Sequence, residues 1–385
     1  MKLTKSDYLL FREAPLHLWA QKHDKFTIQA PSPYDQHLMK QGYEVEHLAK
    51  ECMQKRATKP EHFLWQRRYI DGSYETKTDA LIFDPVESVY DLYEIKSSNS
   101  VKNDHLYDAT FQALILESQL TLRHVYIVSL NEEYIFQSEL DLSQLFSITC
   151  VDEEVSKLKN EVQDARTIAL NLCEKEFHPS IEACVKPKLC PCRDLCHPQL
   201  PEYSIYNIAR LAKDKALELR NEGIFDIRKV PKDFKLSDKQ RLQVQVAQSG
   251  IAHIEYQEIA HELNQLVFPL YFLDYETYSS AIPLYNGYKP NQHMVFQYSV
   301  HILDANQQEP THAEFVNDQI QDPSYDTVSD MKRKISRTGS IIVWNKTFEA
   351  SRNTEMAERY PEHRDFLLDL NARIYDLMEI FNSGM

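Results

Sequence analysis

Seven glycines serve 385 residues, at positions 42, 72, 223, 250, 287, 339 and 384, and no two lie within six residues of each other. A loop that wraps main-chain N–H groups around a phosphate needs clustered glycines, because only a residue without Cβ curls that tightly. The chain therefore carries neither a Walker A loop nor a dinucleotide fingerprint. A self-contained P-loop motor and a Rossmann dehydrogenase are both disfavoured, and any phosphate chemistry must rest on side chains and bound metal.

The length suggests two or three domains, and 43% hydrophobic residues with 11% aromatics suffice for real cores. The longest apolar run, Leu266 to Leu273, spans eight residues including Pro269, far short of a bilayer. The first fifteen residues lack the apolar segment of a signal peptide, so a cytoplasmic protein without membrane association is expected. A formal charge of -15 argues against a general nucleic-acid coat. It leaves room for a nucleic-acid enzyme, because a bound cation or a basic patch reverses the local field.

Hydrophobic periodicity predicts an α/β core in the first 150 residues. It places a helix over 34–56, strands over 61–70, 79–85 and 89–96, a helix over 104–120 and a strand over 124–130. A polar amphipathic helix follows over 151–176. Between 205 and 245 there are ten Lys and Arg against six Asp and Glu. There the pattern is helix, a turn at Gly223, then a second helix from about Ser237. That arrangement suits either contact with a DNA backbone, as in helix-hairpin-helix modules, or a solvated helical linker. From 266 the pattern returns to α/β, with strands at 266–277, 295–303 and 341–345 and helices at about 347–359 and 362–371.

Glu94 and Lys96 close the strand predicted over 89–96, and alternation puts them on one face. Asp79 begins the preceding strand. If the two strands pair, Asp79 and Glu94 converge on one divalent cation with Lys96 beside them. Carboxylates hold Mg²⁺ or Mn²⁺ through hard oxygen ligands, and a lysine there orients a water or stabilises developing phosphorane charge. In this setting the sequence resembles the PD-(D/E)xK nucleases, specifically the RecB-like group that includes CRISPR-associated exonucleases. The resemblance rests on ordered pieces within residues 1–200. These are an opening helix near Leu3 to Ala20, the stretch Gly42 to His47, the strands carrying Asp79 and Glu94-Ile95-Lys96, and the helix from Asp108 to Gln112. It implies that Asp79 and Glu94 bind metal, that Lys96 assists the nucleophile, and that Gln112 and Glu46 support the site. Many relatives have a metal-binding histidine where this chain has Glu46, with His47 next to it; Glu46 and His47 are both candidate metal ligands, and only one of them can face the site. A frequent tyrosine four residues after the glutamine is Leu116 here.

Cys184, Cys190, Cys192 and Cys196 crowd into thirteen residues, among prolines at 179, 187, 191, 198 and 201. In a reducing compartment such density reads as metal binding rather than as disulfides, with zinc or an iron–sulfur cluster as the occupant. The RecB-like resemblance implies a [4Fe–4S] cluster here, its three late cysteines matching Cys184, Cys190 and Cys196. The family's fourth cysteine comes from the N-terminal helix, which here reads Phe11-Arg12-Glu13-Ala14-Pro15. The fourth ligand is then Cys192, Cys173, Cys52 or another residue, or the stretch has lost its metal.

A second constellation begins at Asp274 and Glu276, again on one strand face. It resembles the first motif of DnaQ-like (DEDD, RNase H-fold) exonucleases, whose paired acids bridge metal ions. Asn345 and Glu349 resemble the second motif, with Glu for Asp, and Arg373 to Leu377 the supporting strand. No candidate for the third motif follows Asp376. The whole 266–385 stretch also resembles an uncharacterised bacterial domain found behind RecB-like nucleases.

The reading of the sequence is thus an α/β chain in three parts. Residues 1–200 form a PD-(D/E)xK restriction-endonuclease-like domain with the cysteine cluster, 201–262 a basic helical linker, and 263–385 a partial DnaQ-like domain holding metal through Asp274, Glu276 and Glu349. The expected function is metal-dependent hydrolysis of DNA, with single-stranded ends favoured and any unwinding left to a helicase partner. A catalytically impaired nucleic-acid-binding scaffold and an RNA exonuclease are the competing readings.

Overall fold

The computed structural model describes residues 2–25 and 30–383; Gly384 and Met385, at the end of the expected third part, lie outside the described residues. The chain is mixed α/β and divides into two compact units, Met1–Lys232 and Asp233–Met385. The expected linker over 201–262 is thereby shared between them.

The first unit opens with β1 (Leu3–Thr4), α1 (Lys5–Glu13), α2 (Pro15–Lys22) and α3 (Pro33–Gln54). Thr4 caps α1 through a reciprocal box: its hydroxyl accepts the Asp7 amide at 3.2 Å, and Asp7 accepts the Thr4 amide at 2.8 Å. This fixes Lys5 at the first helical position. Ser32 and Asp35 start α3 in the same way, with Pro33 pre-set for the first turn. Next come β2 (Phe63–Trp65), β3 (Arg68–Asp71), β4 (Tyr74–Lys77), β5 (Ala80–Asp84), β6 (Val89–Ile95), α4 (Asn103–Leu116), β7 (Leu122–Leu130), α5 (Leu142–Leu145), β8 (Phe146–Cys150) and α6 (Asp152–Cys173). The single strand expected over 61–70 is two, and the first starts only at Phe63. Gln66 takes a left-handed φ of 49°, which breaks the ladder and sends β2 and β3 into different sheets.

The main sheet runs β2-β5-β6-β7-β8, and a small sheet β1-β4-β3 stands apart from it. β6 and β7 are parallel, so a crossover helix must join them, and α4 does so. Ala109, Ala113 and Leu116 of α4 pack on Leu81, Leu92 and Ile127 of the sheet. Its other side, with Tyr107, Phe111 and Ile115, meets Tyr8 of α1 and Val162 and Ala169 of α6. α4 is thus buried on both sides and delivers its polar residues, Asp108 and Gln112, into the interior. The cysteine-rich stretch contains only the short α7 (Arg193–Cys196), and α8 (Lys213–Asn221) ends the unit's helices.

The second unit comprises α9 (Asp238–Ser249), α10 (Tyr256–Leu263), β9 (Leu270–Ser279), β10 (His293–Leu303), β11 (Thr311–Val316), α11 (Pro323–Lys334), β12 (Ser340–Val343), α12 (Lys346–Arg359), α13 (Arg364–Ala372), β13 (Ile374–Asp376) and α14 (Met378–Ser383). Its sheet runs β11-β10-β9-β12-β13. β10 is antiparallel to both β9 and β11, and β12 is parallel to both β9 and β13. β9 alternates as its sequence predicts: Tyr271, Leu273 and Tyr275 are buried against Met331, Met356 and Leu367, while Phe272, Asp274 and Glu276 are exposed. At Gly339 the backbone enters β12 with φ of 95°, and a Cβ there would lie 2.1 Å from the carbonyl oxygen of Pro269. Among the described residues, no helix is long and apolar enough to cross a membrane.

Candidate active site and metal centre

Ala80 pairs with Tyr93 at the end of the β5–β6 ladder. One step further, Asp79 comes opposite Glu94, and its carboxylate accepts the Ile95 amide at 2.8 Å. Glu94 is almost wholly buried, at 1% exposure. Its Oε1 accepts from Lys96 at 2.7 Å and from Lys5 at 2.8 Å, and its Oε2 accepts from the Gln112 amide at 2.6 Å. Lys96 also donates to Asp108 at 2.5 Å, Gln112 donates to Asp108 at 3.0 Å, and Lys5 lies 3.4 Å from the same carboxylate. Asp108 and Gln112 are one α-helical turn apart and so share a face of α4.

Three carboxylates and two ammonium groups therefore share this nest. Burial acts to raise Glu94, but Lys5 and Lys96 outweigh it and hold the carboxyl well below its ordinary range. Asp108 goes the other way: burial and then Glu94 push it up to about 6 against the pull of the lysines. Asp79, bonded to neither lysine in the structure, is also raised well above the ordinary range, by burial and then by Glu94. The two partners of Glu94 are themselves kept charged. For Lys96, burial lowers the pKa, but Glu94 and Asp108 push it up to about 12. With all five groups ionised, one negative charge is left over in a poorly solvated place, and Gln112 Oε1 is buried without a hydrogen-bond partner. Such a donor set suits one hard divalent cation.

Of the sequence-derived residues, Asp79, Glu94, Lys96 and Gln112 are brought together directly. Glu46 is half-buried on α3 and accepts a hydrogen bond from the Gln66 side chain; the Gln66 amide in turn donates to the Asp79 carbonyl at 2.9 Å. His47 points outward and pairs with Glu51 at 3.4 Å. Two residues of the nest were not singled out from sequence. Asp108 had a signal in its one-turn spacing from Gln112. Lys5 had none, because it meets Glu94 from the far end of the unit's sequence. His105 stands nearby; burial, then Lys96 and Lys102, push its pKa down to about 4, leaving it neutral at pH 7.

The cysteine-rich stretch forms a separate centre. Ligand atoms of His17, Cys184, Cys190 and Cys196 all lie within 4.8 Å of one another, a set that can hold a metal ion. His17 enters from α2, whose Leu16 amide donates to the Glu182 carbonyl at 3.0 Å. The place expected for Cys192 is thus taken by His17. Cys192 lies outside this set, its sulfur 3.5 Å from that of Cys196. Cys52 and Cys173 also lie outside it, and every described cysteine is free. A third group, His124, Cys150 and Asp152, satisfies the same spacing near the surface. There the Asp152 oxygens are taken up by His124 and the Val125 amide.

In the second unit, Asp274 and Glu276 share the exposed face of β9, and Glu349 sits in the first turn of α12 at 3% exposure. Glu349 Oε2 is buried without a partner. Burial, then the nearby charges of Asp274 and Asp376, push its pKa up to about 7. Asp376 does more than continue a supporting strand. Its carboxylate accepts the amides of Lys346 at 2.9 Å, Met378 at 3.0 Å and Asn345 at 3.1 Å, joining the ends of β12 and β13. Asn345 itself takes a left-handed φ of 79°, a conformation its short amide side chain tolerates better than most.

Residues 271–385 match a family described as a domain of unknown function (DUF2779). No curated protein matches the chain.

Proposed function

We propose that the first unit is a metal-dependent nuclease of the PD-(D/E)xK type that hydrolyses phosphodiester bonds in DNA. The observation that carries this reading is the buried apposition of Asp79 and Glu94 with Lys96 bonded to Glu94. Asp79 and Glu94 would hold Mg²⁺ or Mn²⁺, with Glu46 in support through Gln66. A bound divalent ion supplies the charge that polarises the phosphodiester and acidifies a water. Lys96, kept charged by Glu94 and Asp108, acts as a donor and a fixed positive charge; it orients the attacking water and stabilises charge that develops on the phosphate. Gln112 fixes the Glu94 carboxylate and keeps Oε1 available as an acceptor for that water. Lys5 keeps Glu94 ionised.

DNA is favoured by the resemblance and by the basic residues around α8 and α9. With no phosphate-cradling loop, unwinding would fall to a separate helicase, and single-stranded ends are the first substrate to try. A cytoplasmic setting agrees with seven free cysteines. The cysteine centre is read as structural, with a [4Fe–4S] cluster or zinc as occupant. For the second unit, the strand order β11-β10-β9-β12-β13 and the approach of Asp274 and Asp376 to Glu349 support the DnaQ-like reading. Asp274, Glu276 and Glu349 are its proposed ligands.

Digestion of end-labelled single-stranded DNA, duplex DNA and RNA with Mg²⁺ or Mn²⁺ tests the proposal. Cutting by the wild type that is lost in Glu94→Gln and Lys96→Ala supports it. A wild type that cuts nothing favours the binding-scaffold reading, and cutting of RNA alone favours the RNA exonuclease.

A further inference from the structure

We infer that the cysteine centre is a single-ion Cys₃His site of the zinc type, with His17 as its fourth ligand and Cys192 outside the coordination sphere. The inference rests on reading this cluster as a metal centre and is independent of the nuclease chemistry.

The spacing of the donors decides the occupant. Around one zinc ion, with Zn–S near 2.3 Å and Zn–N near 2.0 Å, tetrahedral geometry sets ligand atoms roughly 3.5–3.8 Å apart. Here His17 Nε2 lies 3.4 Å from Cys190 Sγ, and all four donors stay within 4.8 Å of one another. A [4Fe–4S] cluster is held by thiolates bound to its outer corners, so the whole cube of irons and sulfides must fit between them. Donors gathered this closely leave no such space. The implied iron–sulfur cluster therefore does not fit the residues as they stand, whereas one tetrahedral ion does.

The surroundings are those of a built site. His17 is buried, at 3% exposure, and a Glu13 carboxylate oxygen lies 3.5 Å from its Nδ1. Metal-bound histidines commonly keep an orienting carboxylate on that side. The sulfurs have outer partners too. His197 Nε2 lies 3.2 Å from Cys184 Sγ, and the Cys192 thiol lies 3.5 Å from Cys196 Sγ. Three thiolates around a dication carry one excess negative charge. The His197 ring and the Cys192 sulfur, each beside one of those sulfurs, are placed to offset part of it.

The test uses the full chain, purified anaerobically from cells supplied with both iron and zinc. Elemental analysis is expected to give one zinc per chain and a colourless protein. Zinc-edge X-ray absorption is expected to show about three sulfurs at roughly 2.3 Å and one nitrogen at roughly 2.0 Å. Cys192→Ser should retain full zinc, and His17→Ala should bind it on the order of 100-fold more weakly in competition with a chelator. If His17→Ala does not fold, the absorption spectrum of the wild type decides alone. A brown protein with about four irons per chain, or an all-sulfur zinc shell, overturns the inference while leaving a metal centre in place. Protein with no bound metal overturns the metal-centre reading as well.

Discussion

Glu94 and Glu349 are both buried glutamates beside other carboxylates, one in each unit, yet they meet opposite fates. Glu94 has two lysines in contact and is held ionised. Glu349 has none, and burial with Asp274 and Asp376 nearby pushes it up to about 7. An acidic motif alone does not make a charged site; the cations placed around it do. The first unit has assembled a charge-ready centre. The second has placed its carboxylate where it is half protonated near neutral pH unless a cation arrives.

The largest expected effect breaks this comparison at its base. Glu94→Gln should lower DNA cutting by at least about 10³-fold, whereas Glu349→Gln should leave the first unit's cutting within about twofold of wild type, measured on end-labelled DNA. Equal losses would mean that cutting needs both units. Next in size, Lys5→Met strips one cation from Glu94 and Asp108 and should destabilise the metal-free protein by about 3 kcal/mol at pH 7, with Mn²⁺ restoring part of the loss. A melting temperature unchanged by the substitution would show that Lys5 does not hold the nest together.

The sign for Glu349 is opposite to that for Glu94. A carboxyl whose folded pKa is raised binds its proton more tightly in the folded state. Its contribution is therefore fully present below the unfolded value, near 4.5, and is lost as pH rises through about 7. Glu349→Gln should then melt higher than wild type at pH 8, by the equivalent of about 2 kcal/mol, with the gap shrinking at lower pH. Added Mn²⁺ should raise the wild type at pH 8 and not the variant. A variant that melts lower at every pH would point instead to a lost hydrogen bond. The smallest expected effects separate two neighbours. Glu46→Ala, which frees Gln66, should cost about tenfold in cutting, and His47→Ala, on the exposed side of α3, less than twofold.

Much of the candidate site could be read from sequence because its geometry is local. Strand alternation puts Glu94 and Lys96 on one face, hairpin pairing sets Asp79 opposite, and one helical turn joins Asp108 to Gln112. What could not be read depends on contacts distant in the chain. Lys5 is a first-turn lysine indistinguishable from a surface one until α1 docks on α4. His17 is a lone histidine in an apolar helix, and the cysteine crowd drew attention to Cys192 instead. The β2–β3 break at Gln66 was hidden for another reason: a left-handed glutamine leaves no mark in a hydrophobic pattern. In the second unit, the alternation of β9 was legible from Tyr271 to Glu276. The role of Asp376 as an acceptor for three amides was not, since it depends on where two strand ends meet.

Lys5 and His17 lie on the two opening helices, yet their partners come much later in the chain: Glu94 and Asp108 for one, Cys184 to Cys196 for the other. A ribosome adding about 5–20 residues per second exposes α2 on the order of ten seconds or more before the last of those cysteines leaves the exit tunnel. At the start of that interval the strands carrying Asp79 and Glu94 have not yet been made, and Lys5 gains its partners once Asp108 has emerged, well before His17 gains its own. The two opening helices are thus fastened in sequence, the first by the nest around Glu94 and the second by the cysteine centre.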